Sequence, residues 1–427
     1  MPNNFESNFT RKLARTFLDK FENSRVLSKN VNTQLLKMNG FNPSTGDTVD
    51  FKRPTDYVSV RTPDGDVSGE TKSSIITGKA SGKVQDYFTV FVDFSEADQA
   101  IKMDQLDELL APMATRIKTD LEVDFAKFMM RNSGLKQGNV GTQASTWDHV
   151  AAWAALMEST GIPMDGRWYA SINPFTKTSL ASNQRSLGAG GSAGALISEA
   201  HRKAIISENF AGFDAVMTAT TLARFTTGAG ADRAGALAAT PNGTYVAHKD
   251  TMIQTWAVSG FQANLEIKAG ETITVSGRNR LDLSTRLPIV DATGSAVLFT
   301  ATVTEDVTLD GVGSGTILVT GPGINEANGQ YNTVDSALTS GDVLTIGGAA
   351  STLIQPNLFW HKNAFSIGSV PMEKLYSTDT LATTEDGLQF RVSKGAGFLQ
   401  NTNQVRIDFR PAYGAMNPFF AGQGFGS

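Results

Sequence analysis

Four histidines, His149, His201, His248 and His361, are the first residues to weigh for chemistry, and none stands in an HxxxH or HxxEH spacing that brings two imidazoles to one metal ion. Cysteine is absent, which removes thiolate zinc sites, iron–sulfur clusters, disulfides and a thiol nucleophile together. No GxSxG elbow occurs, and Gly78-Lys79-Ala80 has alanine where a phosphate loop needs a hydroxyl for magnesium. Gly188-Ala189-Gly190-Gly191 lacks the preceding buried strand and the acidic ribose partner of a dinucleotide fold, and reads as a mobile loop. Asp64 and Asp66 have neither the spacing nor the distant glutamate of a calcium loop and read as solvated turn residues. Glu305 and Asp306 point to opposite faces if they lie on a strand, so they make no acid–base pair. The expectation is a protein that is not an enzyme, with no catalytic, cofactor or metal site.

The elements that carry these residues suggest a different use. The chain has 427 residues, 40% hydrophobic and 19% charged, enough for two or three cores. A formal charge of −5 argues against a protein that grips nucleic acid through many phosphates, so any contact with DNA is expected to be loose. The opening residues lack a signal-peptide pattern, and the uncharged run Val343 to Trp360 is broken by glycines, Pro356 and Asn357, so neither secretion nor a membrane span is expected.

Phe5, Phe9, Leu13, Phe17 and Phe21 recur every fourth residue among charged ones and predict an amphipathic helix. The helix reads either as an ordinary core helix or as an arm that docks on another subunit, and its terminal position favours the arm. Turns at Thr45-Gly46-Asp47 and Thr62 to Asp66 predict a long hairpin; its limb Ser73 to Val84 is too poor in large apolar residues to bury itself and should project. Val84 to Phe94, rich in aromatic and β-branched residues, predicts a buried anchor for the hairpin's return. Asp104 can cap a long helix whose 3.6-residue period ends at Asn132-Ser133-Gly134, with Pro112 expected to bend it or to mark its effective start. Helices at 147–159 and 195–206 and strands at 168–172 and 215–219 follow. Between about 221 and 351 the composition turns to Thr, Gly, Ala and Val in short alternating runs, which predicts an inserted all-β module.

Several segments resemble the major capsid proteins of short-tailed double-stranded DNA bacteriophages of the Lederbergvirus type. They include Ser44-Thr45-Gly46-Asp47 with Phe51-Lys52-Arg53-Pro54, Leu106 to Pro112, Arg116 to Glu122 with Phe128-Met129-Met130, Pro356 to Phe359, Gly368-Ser369-Val370-Pro371, and Arg406 to Tyr413 with Asn417-Pro418. The resemblance spans nearly the whole chain. It implies an α+β Hong Kong 97 capsid fold: N-terminal arm 1–40; extended loop and its base 41–95; spine helix, peripheral domain and the first part of the axial domain 96–220; inserted β-barrel-like domain 221–351; return to the axial and peripheral domains 352–427.

The resemblance further implies that copies of the chain assemble noncovalently into hexamers and pentamers of an icosahedral shell in the bacterial host cytoplasm. A scaffolding protein directs them, a portal protein occupies one vertex, packaged double-stranded DNA is contacted non-specifically, and no membrane is involved. Lys52, Arg53, Arg61 and Lys79 on the hairpin are expected to pair with a neighbour's acidic residues; the turn at Asn242 with His248, Lys249 and Asp250 resembles the loop that reaches between capsomers. Glu6, Asp19 and Glu22 are candidate acidic docking points for a basic scaffold helix, and Gly40, Gly46, Pro112 and Gly134 candidate hinges for shell expansion. The alternative from another class is a secreted β-rich adhesin or carbohydrate-binding protein, suggested only by the Thr/Gly-rich module.

Overall fold

A computed structural model of the chain describes residues 5–22, 25–33, 48–95, 106–186, 203–327 apart from 205 and 208, 329–397 apart from 378, and 402–427. The helix expected at 195–206 lies almost wholly outside them, as do the candidate hinges Gly40 and Gly46, His201 and the cap Asp104. The architecture is α+β, and chain contacts divide it into two compact units.

The first unit comprises residues 1–50, 81–126 and 365–414. Its antiparallel sheet runs, in spatial order, Thr380–Thr383, Gln389–Gly397, Thr402–Phe409 and Phe88–Ser95. The helix Phe5–Glu22 lays its four-residue stripe on this sheet: Leu13, Ala14, Phe17 and Phe21 are buried, and Phe21 meets Phe390 edge-on at 4.7 Å. Thus the arm helix finds a core in its own chain, which is the core-helix reading and not the docking on another subunit that its terminal position favoured. The apolar stripe states only that a partner is needed; the strands Thr380–Thr383 and Gln389–Gly397 that supply it lie more than 350 positions away.

The strand Phe88–Ser95 also departs from expectation. It is the edge of its sheet, and Phe91 is 70% exposed. The β-prone run forms the strand, but no second layer of the described residues covers that ring.

The long helix runs from Leu106 to Arg131, with Pro112 inside it. Proline lacks the N–H for the bond to the preceding turn, yet the helix is continuous through that position. Ile117, Leu121 and Phe125 are fully buried on one stripe. Glu122, also fully buried, is the departure from it. Its carboxylate accepts from the backbone N–H of Leu27 at 2.7 Å and of Ser28 at 3.0 Å, and from the Ser28 hydroxyl at 2.5 Å. A buried carboxylate is tolerable when such donors surround it. Here they fix the turn that follows the arm helix.

The second unit comprises residues 51–80, 127–364 and 415–427. A five-stranded sheet orders Leu135–Gln137, Ala421–Gly424, Asn357–His361, Trp168–Ile172 and Ala215–Thr218, with the helix Trp147–Ser159 against it. Close approach explains the glycines of its second strand. A Cβ on Gly424 would lie 2.5 Å from the Trp153 ring, and one on Gly422 2.2 Å from Phe359.

Within the run expected to be all-β, six strands close into a barrel: Thr272–Asn279, Leu298–Val303, Gly315–Thr320, Ile253–Ser259, Ala234–Leu237 and Val343–Ile346. Alternation sends Ile317 and Val319, Trp256 and Val258, and Ile273 and Val275 inward around Phe299. Arg280 is buried, and among the described residues no carboxylate is paired with it. Its guanidinium donates to the Gly134 and Thr300 carbonyls at 3.0 and 2.7 Å and lies over the Phe299 ring. Burial lowers its pKa to about 10. Gly134 is thereby a packed contact: its N–H donates to the Pro418 carbonyl at 2.8 Å, and a Cβ would come within 3.0 Å of that oxygen.

Candidate functional site

Among the described residues no group of three or more His, Asp or Glu is placed to hold a metal ion. The described histidines have structural partners. His149 Nδ1 accepts from the Ser145 N–H at 3.1 Å and belongs to the capping box of the helix that follows. His361 Nε2 lies 2.9 Å from Asp165, while its Nδ1 accepts from the Asn363 N–H. His248 is buried, with Nδ1 2.9 Å from the Ile253 carbonyl and Nε2 2.6 Å from that of Asn242. His248 is therefore an internal brace, not a side chain presented to a neighbour.

The polar features that remain gather at the extended loop, residues 53–78, which carries no strand. Tyr57, Val58, Val60, Val67 and Ile75 are exposed on it, Ile75 by 77%. Scattered apolar exposure is ordinary, but a concentration of this kind on one excursion marks a contact surface.

The root of the loop is built around Arg53. This residue is 7% exposed; its Nε donates to the Lys79 carbonyl at 3.0 Å, Nη1 to the Met416 carbonyl and Nη2 to that of Ala415 at 3.5 Å. Burial lowers its pKa to about 10, partly offset by Tyr245 and Asp250. Arg53, expected to pair with a neighbour, is instead occupied by carbonyls of its own chain. Lys52, Arg61 and Lys79 remain exposed. The Lys79 N–H donates to Asp250 at 3.1 Å, and Lys249 Nζ reaches the same carboxylate at 3.1 Å. Burial would raise the Asp250 pKa, but these donors outweigh it and hold it low. Asn242 is exposed, its side chain turned back on the Thr244 N–H at 3.0 Å.

Sequence reasoning missed Arg286, Gln330 and Tyr331. Arg286 pairs with Asp56 on the loop and donates to the Asn332 carbonyl at 2.8 Å. Tyr331 stacks on Tyr245 at 3.7 Å, and together with Arg53, Met252 and Phe419 they line a cavity of about 300 Å³. The visible signal was an ordinary polar loop, with nothing local to distinguish it.

At the arm, Glu22 accepts from the Glu385 N–H at 2.7 Å, which ties it to its own unit, and Asp19 is exposed. Glu6 lies on the arm helix, with its side-chain surroundings outside the described residues. Asp408, fully buried, joins Arg391 and Arg406 at 2.6 Å each and Thr89 at 2.7 Å.

A model of the family described as P22 coat protein, gene protein 5, matches residues 2–426. The chain belongs to the P22 coat protein family. A relative in the phage named Acyrthosiphon pisum secondary endosymbiont phage 1, described as a major capsid protein, is 36% identical over 430 residues, covering 100% of both chains. Among solved structures, one from Mycobacterium phage Che8 superposes with a TM-score of 0.45 at 11% identity, covering 95% of this chain and 93% of its own. The mature capsid of bacteriophage PhiM1 gives 0.41 at 8% identity, covering 89% and 82%. Membership of the P22 coat protein family leaves the adhesin reading unsupported, since the composition of the β module was its sole basis.

Proposed function

We infer that this chain is the major capsid protein of a phage, a structural shell component and not an enzyme. The observation that carries this is the full-length 36% identity to a major capsid protein, with the family match over residues 2–426. Function then resides in surfaces that a single copy leaves open, and the loop's exposed apolar residues are such a surface. Each contact contributes ~25 cal/mol per Å² of apolar area buried, and many modest contacts close a symmetric shell.

On this reading, copies form hexamers and pentamers of an icosahedral shell around double-stranded DNA, with the Hong Kong 97 slots and domain limits read from the sequence. Lys52, Arg61 and Lys79 select register through exposed pairs of about 0–1 kcal/mol each. Asn242, Lys249 and Asp250 lie on the short turn expected to reach between capsomers. A scaffolding protein docks on the arm through Asp19, with Glu6 and Glu22 beside it, a portal fills one vertex, and assembly takes place in the host cytoplasm. Expansion draws on the long helix at Pro112 and on Gly40, Gly46 and Gly134.

Light scattering and negative-stain microscopy of the purified chain, alone and with scaffold, test this reading. Shells, tubes or capsomers are expected. A chain that stays monomeric at high concentration with scaffold present overturns it.

A further inference from the structure

The strands Thr48–Lys52 and Lys79–Val84 pair at the base of the extended loop, but beyond them its two limbs are not joined by a strand ladder: residues 53–78 carry none, and the direct ties between the limbs there are Arg53 N–H to the Gly78 carbonyl at 2.8 Å and Val58 N–H to the Ser73 hydroxyl at 3.0 Å. Two neighbouring side chains from the segment between the barrel strands Gly315–Thr320 and Val343–Ile346 take the ladder's place. Gln330, 4% exposed, donates through Nε2 to the Asp56 carbonyl on the outgoing limb and to the Ser74 carbonyl on the returning limb, the latter at 3.0 Å. The Tyr331 hydroxyl accepts from the Asp56 N–H at 3.4 Å and donates to the Ile76 carbonyl at 3.2 Å. Each residue bridges both limbs. Tyr245, stacked on the Tyr331 ring, and Arg286, between Asp56 and the Asn332 carbonyl, hold the pair in place.

We propose that Gln330 and Tyr331 are the positioning residues of the extended loop, clamping both limbs by their main chain so that the exposed stretch 57–75 is presented to a second copy at a fixed spacing. The clamp rests on the shell-forming reading for its purpose, and on hydrogen bonds alone for its existence. Both side chains are buried polar groups aimed at backbone carbonyls, so they read the path of the loop and not its sequence. Without them the limbs have no regular pairing between the apolar tip and the two-strand base.

The test uses the full chain with Gln330→Ala, Tyr331→Phe and both together. Tyr331→Phe retains the ring stack on Tyr245, so it removes the hydroxyl bonds while leaving the barrel packed. Three readouts are taken: the thermal midpoint of the unassembled subunit, its trypsin cleavage rate at Arg61 and Lys72, and the morphology of assembled particles. The double variant should melt within a few degrees of the parent, be cut about tenfold faster at those two sites, and give open or irregular particles in place of uniform shells. Because the chain has no cysteine, Val58→Cys with Ser73→Cys can be oxidised in the double-variant background to rejoin the limbs, and this should restore both slow cleavage and uniform shells. Parental cleavage rates in the double variant overturn the clamp, as do irregular particles that the crosslink fails to rescue. If the parent chain itself forms no particles, the shell reading fails, while the cleavage rates still decide whether the clamp exists.

Discussion

Replacing Glu122 should unfasten the turn after the arm helix while leaving the barrel untouched. In the Ala variant, the Leu27 and Ser28 N–H groups and the Ser28 hydroxyl lose an acceptor at 2.5–3.0 Å in a site where Glu122, Leu27 and Ser28 are all fully buried. A hydrogen bond to a charged group contributes about 1.5–3 kcal/mol, but removing the carboxylate also relieves its own desolvation, so the net loss should be about 3–5 kcal/mol. Glu122→Gln sharpens the argument. Its volume is nearly unchanged, yet one carboxylate oxygen becomes an NH₂ that faces a donor, and the expected loss is about 2–3 kcal/mol. Tryptophan fluorescence is the wrong assay, because all five tryptophans, at 147, 153, 168, 256 and 360, belong to the second unit. Amide exchange at Leu27 and Ser28 reports the turn directly. Three kcal/mol of lost protection raises the exchange rate about a hundredfold where opening is local, and trypsin cleavage at the exposed Lys29 should rise in parallel. A Gln variant that exchanges like the parent would refute the reasoning, since it would mean that packing, not charge-assisted bonding, holds the turn.

Acid should loosen the two units through identified carboxylates. Burial alone would raise the Asp408 and Asp342 pKa values, but Arg391, Arg406 and Thr89 around the first, and Arg278 and Thr339 around the second, hold both below the usual carboxylate range. Their contribution is therefore complete above the unfolded value of about 4 and declines as pH falls through the lower folded value; urea midpoints that stay flat from pH 5 to pH 2 would contradict it. Two turns of the same pattern, Asp291 to Ser295 and Asp310 to Ser314, separate backbone strain from clash. Gly294 has φ +85° and open space, whereas a Cβ on Gly313, at φ +72°, would sit 1.8 Å from the Phe261 carbonyl oxygen. Thermal melts should show Gly294→Ala costing about 1–2 kcal/mol and Gly313→Ala markedly more; equal losses would sink the comparison. Finally, Arg280→Met should destabilise the barrel by about 2–4 kcal/mol by orphaning the Gly134 and Thr300 carbonyls, read as a lower urea midpoint by tryptophan fluorescence.

What the sequence made legible followed the strength of local periodicity. The helix Trp147–Ser159 and the strand Trp168–Ile172 fall where their patterns placed them, and the long helix begins and ends within two residues of expectation. Short alternating runs within the barrel region were readable, but neither the strands Ala234–Leu237 and Ile253–Ser259 nor the closure was. It depends on pairings such as Leu318 with Thr255 and Thr345 with Ala234, which no window of neighbouring residues contains. The family was reached through short matching segments, and the model over residues 2–426 agrees with that resemblance. Side-chain roles fared worst. Arg53 and His248 have the composition of surface contacts and the surroundings of buried braces, while Gln330 and Tyr331 acquire their partners across more than 250 residues of chain.

A grip on carbonyl oxygens is indifferent to what those residues carry as side chains. Lineages that inherit the polar hand beneath the loop are free to rewrite its fingertip, exchanging Tyr57, Val60 or Ile75 to suit a changed neighbour, without relearning where to hold it out. Divergence should therefore collect at the tip and thin toward the wrist.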